Sequence, residues 1–233
     1  MLRPPLCSIF AACSRLRDAP CDQAVRNALV ALCPAPQTLE QRLNRSFAEQ
    51  LPNSFRRRSF RLAIDLTLIP YHGQPQDDPK EVYRSQAKRG TTHFHAYATC
   101  YGVQRGRRFT VALTRVEQGE PLKTVLQRVL ALSRQAGMRP KLLLLDRGFY
   151  SVAVIRYLQV ARYPLVMPVV VRGRKPIDPR GPSATQVFAA QKRSGWFTST
   201  LTDAGKRTAT MRICVHCRNW QGQRKRHGRH TLV

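Results

Sequence analysis

Between Phe60 and Leu145 the apolar residues change their period twice, which limits the chain to folds that mix strands with helices. Phe60, Leu62, Ile64, Leu66 and Leu68 alternate with Ala63, Asp65 and Thr67. That two-residue repeat is a strand with unlike faces, and Pro70 ends it. Leu122, Val125, Leu126, Val129 and Leu130 then share one helical face. Pro121 suits the first turn of that helix and Gly137 its C-terminal cap. Leu142 to Leu145 is an unbroken apolar run, the pattern of a central strand covered on both faces.

Weaker signals fill in the rest. Strands are expected over 93–101 and 109–116, turned as a hairpin through Gly102 and Gly106. Ser151 is placed to cap a helix carrying Val152, Ile155 and Leu158. Residues 163–171 read as a fifth strand, kept near an edge by Pro164 and Pro168. The expected order is three strands, then helix, strand, helix, strand. It implies an α/β class with a mixed sheet and flanking helices.

The flanks differ in character. Residues 1–54 read as a small helical segment. Val25, Ala28, Leu29 and Leu32 mark one helix, Pro34 and Pro36 interrupt it, and a second starts at Thr38 with Gln41 set for a capping box. Such a pair is either a DNA-binding module or a packing or dimerising hairpin, so a homodimer is left open. Residues 55–172 form the core. Residues 173–233 read as a linker rich in Pro, Gly and Arg, a hairpin over 196–217 turning at Ala204-Gly205, and a basic, mobile tail.

Charge narrows the partners. Lys and Arg total 40 against 13 acidic residues, a formal net charge of +27. Such a domain repels itself unless a polyanion compensates, and nucleic acid is the usual one because each neutralised phosphate releases a counterion. No stretch reaches the apolar length of a membrane span, and LCSIFAAC near the start reads as the beginning of the folded protein rather than a leader. Seven irregularly spaced cysteines suit a reducing cytoplasm better than a disulfide framework.

Two carboxylates stand out. Asp65 lies within an apolar strand and Asp146 ends another. Carboxylates are seldom buried in strands unless paired or metal-bound. If the two strands are sheet neighbours, the pair suits Mg²⁺ or Mn²⁺, which take hard oxygen ligands and serve phosphoryl chemistry. The alternative is that Asp65 pairs with an Arg and Asp146 makes a turn contact. Lys80, Arg84, Lys88 and Arg89 form a basic stretch before the second expected strand that either tracks a DNA backbone or is a solvated surface. Arg147 either contacts phosphate or belongs to an ordinary turn with Gly148. His93 and His95 read as packing residues. Cys214, Cys217, His227 and His230 hint at zinc, but the His spacing is tight and the two cysteines of a strand would face opposite ways.

Three segments resemble insertion-sequence DDE transposases: IDLTLIPYHG at 64–73, YRSQAKRGTTHFHAYAT at 83–99 and LLLLDRGFYS at 142–151. The resemblance covers roughly residues 60–172 and implies a ribonuclease-H-like fold whose sheet carries Asp65 and Asp146 as the first two metal-binding, catalytic acids. It further implies Mg²⁺- or Mn²⁺-dependent cleavage and strand transfer on DNA, with transposon ends and target DNA as partners. The family's third acid is a Glu on a later helix, beyond a mostly β insertion. Here the last Glu is Glu120, and only Asp178 and Asp203 follow Asp146 as acids. The expectation is therefore a truncated copy lacking the third acid, set against a non-catalytic, basic nucleic-acid-binding remnant.

Overall fold

The computed structural model describes residues 9–15, 18, 20–56, 59–73, 79–104, 107–170, 194–218 and 228–232. The chain divides into two compact units, Met1–Arg42 and Leu43–Val233. The division falls inside a helix, at a different point from the junction near residue 54 that the sequence suggests.

The first unit holds α1 (Ile9–Arg15), α2 (Asp22–Leu32) and the start of α3 (Pro36–Gln50). α3 begins two residues before the expected Thr38. Pro36 stands in its first turn, where a missing N–H costs nothing, and the Ala35 carbonyl accepts from the amides of Thr38 and Leu39. Val25, Ala28, Leu29 and Leu32 line an apolar groove with Pro20 and Pro34. None of the described residues of α1 or α2 is buried.

The second unit is built on a mixed sheet. Its strands are β1 (Ser59–Pro70), β2 (Tyr83–Lys88), β3 (Thr91–Gln104), β4 (Arg107–Val116), β5 (Arg139–Leu145) and β6 (Leu165–Val166). β3 pairs antiparallel with β1 along one edge and with β4 and β2 along the other, while β5 and β6 run parallel to β1 beyond it. Alternation fixes the faces. Leu62 and Ile64 of β1, Phe94, Ala96, Ala98 and Cys100 of β3, and Leu143 and Leu145 of β5 are buried on one side. Each large aliphatic side chain buried there contributes about 1.5–3 kcal/mol. The same core takes Val125, Leu126, Val129 and Leu130 of α5 (Leu122–Gln135) and Val154, Ile155 and Leu158 of α6 (Val152–Val160). Ser151 caps α6 as its sequence suggests, accepting from the Val154 amide at 3.4 Å, and Gly137 adopts φ +82° after α5.

Several expectations need correction. β2 lies where only a basic stretch was read, and it turns into β3 through Arg89 (φ 52°) and Gly90 (φ 79°), two left-handed residues that suit a tight hairpin. Gly102 is not in a turn. It sits inside β3 opposite Phe109, where an added Cβ would lie 3.2 Å from the ring of Phe55. That ring, on α4 (Asn53–Arg56), stacks on Phe60 at 4.3 Å and meets Phe109 edge-on at 4.6 Å. β5 is covered on one face only, since Leu142 and Leu144 remain half-buried. β6 spans two residues rather than the run expected over 163–171, although Met167 and Val169 beyond it are buried.

A second sheet orders β7 (Gly195–Thr202), β8 (Thr208–Arg218) and β9 (Gly228–Leu232). The hairpin expected at Ala204-Gly205 is present, held by Asp203 and Arg207 at 2.8 Å. β9 occupies part of the segment read as a mobile tail. Met211, Ile213 and Val215 of β8 join the core, and Gln159 of α6 donates to the Thr210 carbonyl at 2.7 Å. The linker expected over 173–182 lies outside the described residues. Among the described residues, no helix is long and apolar enough to cross a membrane.

Candidate functional site: two aspartates on a basic sheet face

β1 and β5 pair in parallel with Ile64 opposite Leu145, so the residue that follows each of these two is an aspartate. The Asp146 amide donates to the Ile64 carbonyl at 3.3 Å, which carries the ladder one step further and sets Asp65 and Asp146 side by side. The metal reading was conditional on these two strands being sheet neighbours, and they are. The burial premise does not hold, however: both residues are exposed, because they point to the face opposite the α5–α6 core.

The alternative reading paired Asp65 with an arginine. Among the described residues, its side chain has neither an ion pair nor a hydrogen bond. Asp146 accepts from the Gly148 amide at 3.4 Å, through Oδ2. This contact starts a 3-10 turn over Arg147–Phe149, and Phe149 is fully buried. The segment Asp-Arg-Gly-Phe thus works as a local device. Phe149 anchors the turn in the core while Asp146 and Arg147 stay outside.

The face carrying Asp65 and Asp146 can be read off the register. Across β3 it bears His93, His95, Tyr97, Thr99 and Tyr101, and Asp65 stands directly opposite Thr99. Arg84 and Lys88 of β2 pair with His93 and Thr91, so they belong to the same face. So do Arg61 of β1, and Arg108 and Arg115 of β4. Arg108 lies over the Tyr101 ring at 5.0 Å. Sequence reading found Arg84, Lys88 and Arg89, the last in the turn, but missed Arg61, Arg108 and Arg115. Their positions in strand alternation were the available signal. Lys80 lies before β2, exposed, and its carbonyl accepts from the Gln118 amide. His95 packs edge-on to Tyr71 at 5.0 Å, and His93 Nδ1 lies 3.2 Å from the Thr92 hydroxyl.

Thr99 is unusual on this face. It is only 6% exposed, and its hydroxyl is the one buried side-chain polar atom among the described residues without a hydrogen-bond partner. A pair of adjacent carboxylates with an unsatisfied hydroxyl beside them suits a hydrated divalent cation, whose ligands are hard oxygens. Two unscreened carboxylates repel, and a cation or bound positive charge relieves that repulsion.

Asp203 is engaged by Arg207 in its hairpin, and Asp178 lies outside the described residues. For the zinc reading, Cys214 is a half-buried free thiol on β8, while His227 and the side chains of Cys217 and His230 lie outside the described residues. No protein-family model and no curated protein matches this sequence.

Proposed function

We propose that the chain is a DNA transposase of the DDE type, with a ribonuclease-H-like sheet on which Asp65 and Asp146 hold Mg²⁺ or Mn²⁺ against a DNA phosphate. The observation that carries this reading is the parallel β1–β5 register, which brings two aspartates together on a face where Asp65 has no basic partner among the described residues, despite a net charge of +27. The resemblance of residues 64–73, 83–99 and 142–151 to that family supports the same assignment.

Each part of the face has a chemical task in this reading. Asp65 supplies carboxylate oxygens from within β1, and Asp146 from the residue that follows β5, tied to β1 by its amide hydrogen bond to the Ile64 carbonyl. Arg61, Arg84, Lys88 and Arg108 engage backbone phosphates, which position the duplex without reading its sequence. Arg89 and Arg147 extend this surface at the hairpin turn and beside Asp146, and Lys80 flanks β2. When bound, the cation would stabilise charge developing on the phosphate and activate water or a DNA 3′-hydroxyl as nucleophile. No side chain needs to form a covalent intermediate.

The test is Mn²⁺ titration by calorimetry on the protein and on its Asp65→Ala and Asp146→Ala variants. Saturable binding that disappears in both variants supports the reading. Binding indifferent to both substitutions, or none at all, overturns it. That outcome favours a second reading, a non-catalytic basic nucleic-acid-binding protein. Among the described residues, no three His, Cys, Asp or Glu side chains come together as a metal site.

A further inference from the structure

We infer that Thr99 is a positioning residue of the Asp65–Asp146 site, its hydroxyl holding a water molecule of the bound cation's hydration shell. The inference rests on the cation-site reading above and adds a residue to it. Thr99 pairs with Asp65 across the antiparallel β1–β3 ladder, so the two side chains stand on one face as direct neighbours, with Cβ atoms about 4.5–5.5 Å apart. On its other side Thr99 pairs with Leu113, and Tyr97 and Tyr101 precede and follow it on the same face. All four neighbours have longer side chains, which explains how a small residue is 94% buried (6% exposed) on a face whose aspartates are exposed.

A buried hydroxyl without a partner is a cost that valine, of nearly the same shape, would avoid. The residues facing the hydroxyl do not satisfy it: Asp65 stands directly opposite Thr99 in the ladder, yet no hydrogen bond joins them. The carboxylate reaches further from the strand than the threonine does. A group seated at the carboxylate tips therefore meets the Thr99 hydroxyl through a bridging water rather than directly. Mg²⁺ and Mn²⁺ sites retain such waters, and partners of this kind orient first-sphere ligands and tune affinity.

The experiment compares the full chain with Thr99→Val and Thr99→Ser, measuring thermal unfolding without metal and Mn²⁺ affinity by calorimetry. Thr99→Val is expected to raise Tm by about 2–6 °C, since it removes an unsatisfied buried hydroxyl. The same variant is expected to weaken Mn²⁺ binding about 10-fold, while Thr99→Ser stays within about 3-fold of the parent. Thr99→Ala gives the same affinity comparison if the valine variant does not fold. A lower Tm for Thr99→Val with unchanged affinity, or serine as weak as valine, overturns the assignment. If Asp65→Ala and Asp146→Ala abolish binding but Thr99→Val does not, Thr99 alone is dismissed and the aspartate site stands. If binding ignores the aspartates too, the site and the role of Thr99 fall together.

Discussion

Single residues in this protein are governed by which face of the sheet they occupy. Cys100 and Thr99 are adjacent in β3, yet one enters the hydrophobic core and the other lies beside Asp65. Burial pushes the Cys100 thiol up to about 12, against a smaller downward pull from Ser133. Between the ordinary thiol range and that value, the unfolded chain releases a proton that the folded chain keeps. The folded state then binds more protons, so stability falls as pH rises from about 9 toward 12. Replacing Cys100 with Ala should flatten that alkaline slope by up to about 1.4 kcal/mol per pH unit, measured by urea unfolding across the range. In the native protein, thiol reagents should label the exposed Cys21 and Cys33 while leaving Cys100 untouched. Gly102 has a steric role. An alanine there would press on Phe55, which Phe60 and Phe109 hold in place, so Gly102→Ala should cost about 1–3 kcal/mol in denaturant unfolding.

At the scale of elements, pairing partners decide more than local preference. β2 has little strand pattern of its own beyond Tyr83, and it forms because β3 offers it an edge. β4 is an outer strand whose free edge is closed by a side chain. The Asn44 amide of α3 donates to the Leu113 carbonyl at 2.8 Å and accepts from the Leu113 amide at 2.9 Å, imitating a neighbouring strand. Asn44→Ala should cost about 1–2 kcal/mol and speed hydrogen exchange at the Leu113 amide, which distinguishes loss of the edge cap from general loosening. The loop from β4 to α5 is fastened by Arg128. Its guanidinium donates to Glu120 at 2.6 and 3.0 Å, to the Thr114 hydroxyl at 2.6 Å and to the Arg115 carbonyl at 2.6 Å. None of this shows in hydrophobic periodicity, which explains why the strong helix signal of α5 was legible and its tether was not.

For the whole molecule, the charge of +27 and the basic sheet face lead to one measurable expectation. Duplex DNA affinity should fall steeply with salt, and Arg84→Ala and Lys88→Ala should each lower the slope of log K against log salt by about 1, read by fluorescence anisotropy. A slope unchanged by either variant would remove those residues from the interface. The amino-acid sequence by itself determined the mixed α/β class, the strand carrying Asp65, the helix α5 and the cap at Ser151. Each depends on residues within a few positions of one another: alternation, helical spacing, a capping hydroxyl. It also determined the charge balance, which needs no fold. The tertiary structure alone decided the Ile64–Leu145 register that sets the aspartates side by side, the exposure of their face, the strands β2 and β9, and the placing of Thr99 opposite Asp65. These depend on pairings between segments far apart in the chain, and a shift of one residue in any pairing would send the same side chains to the opposite face.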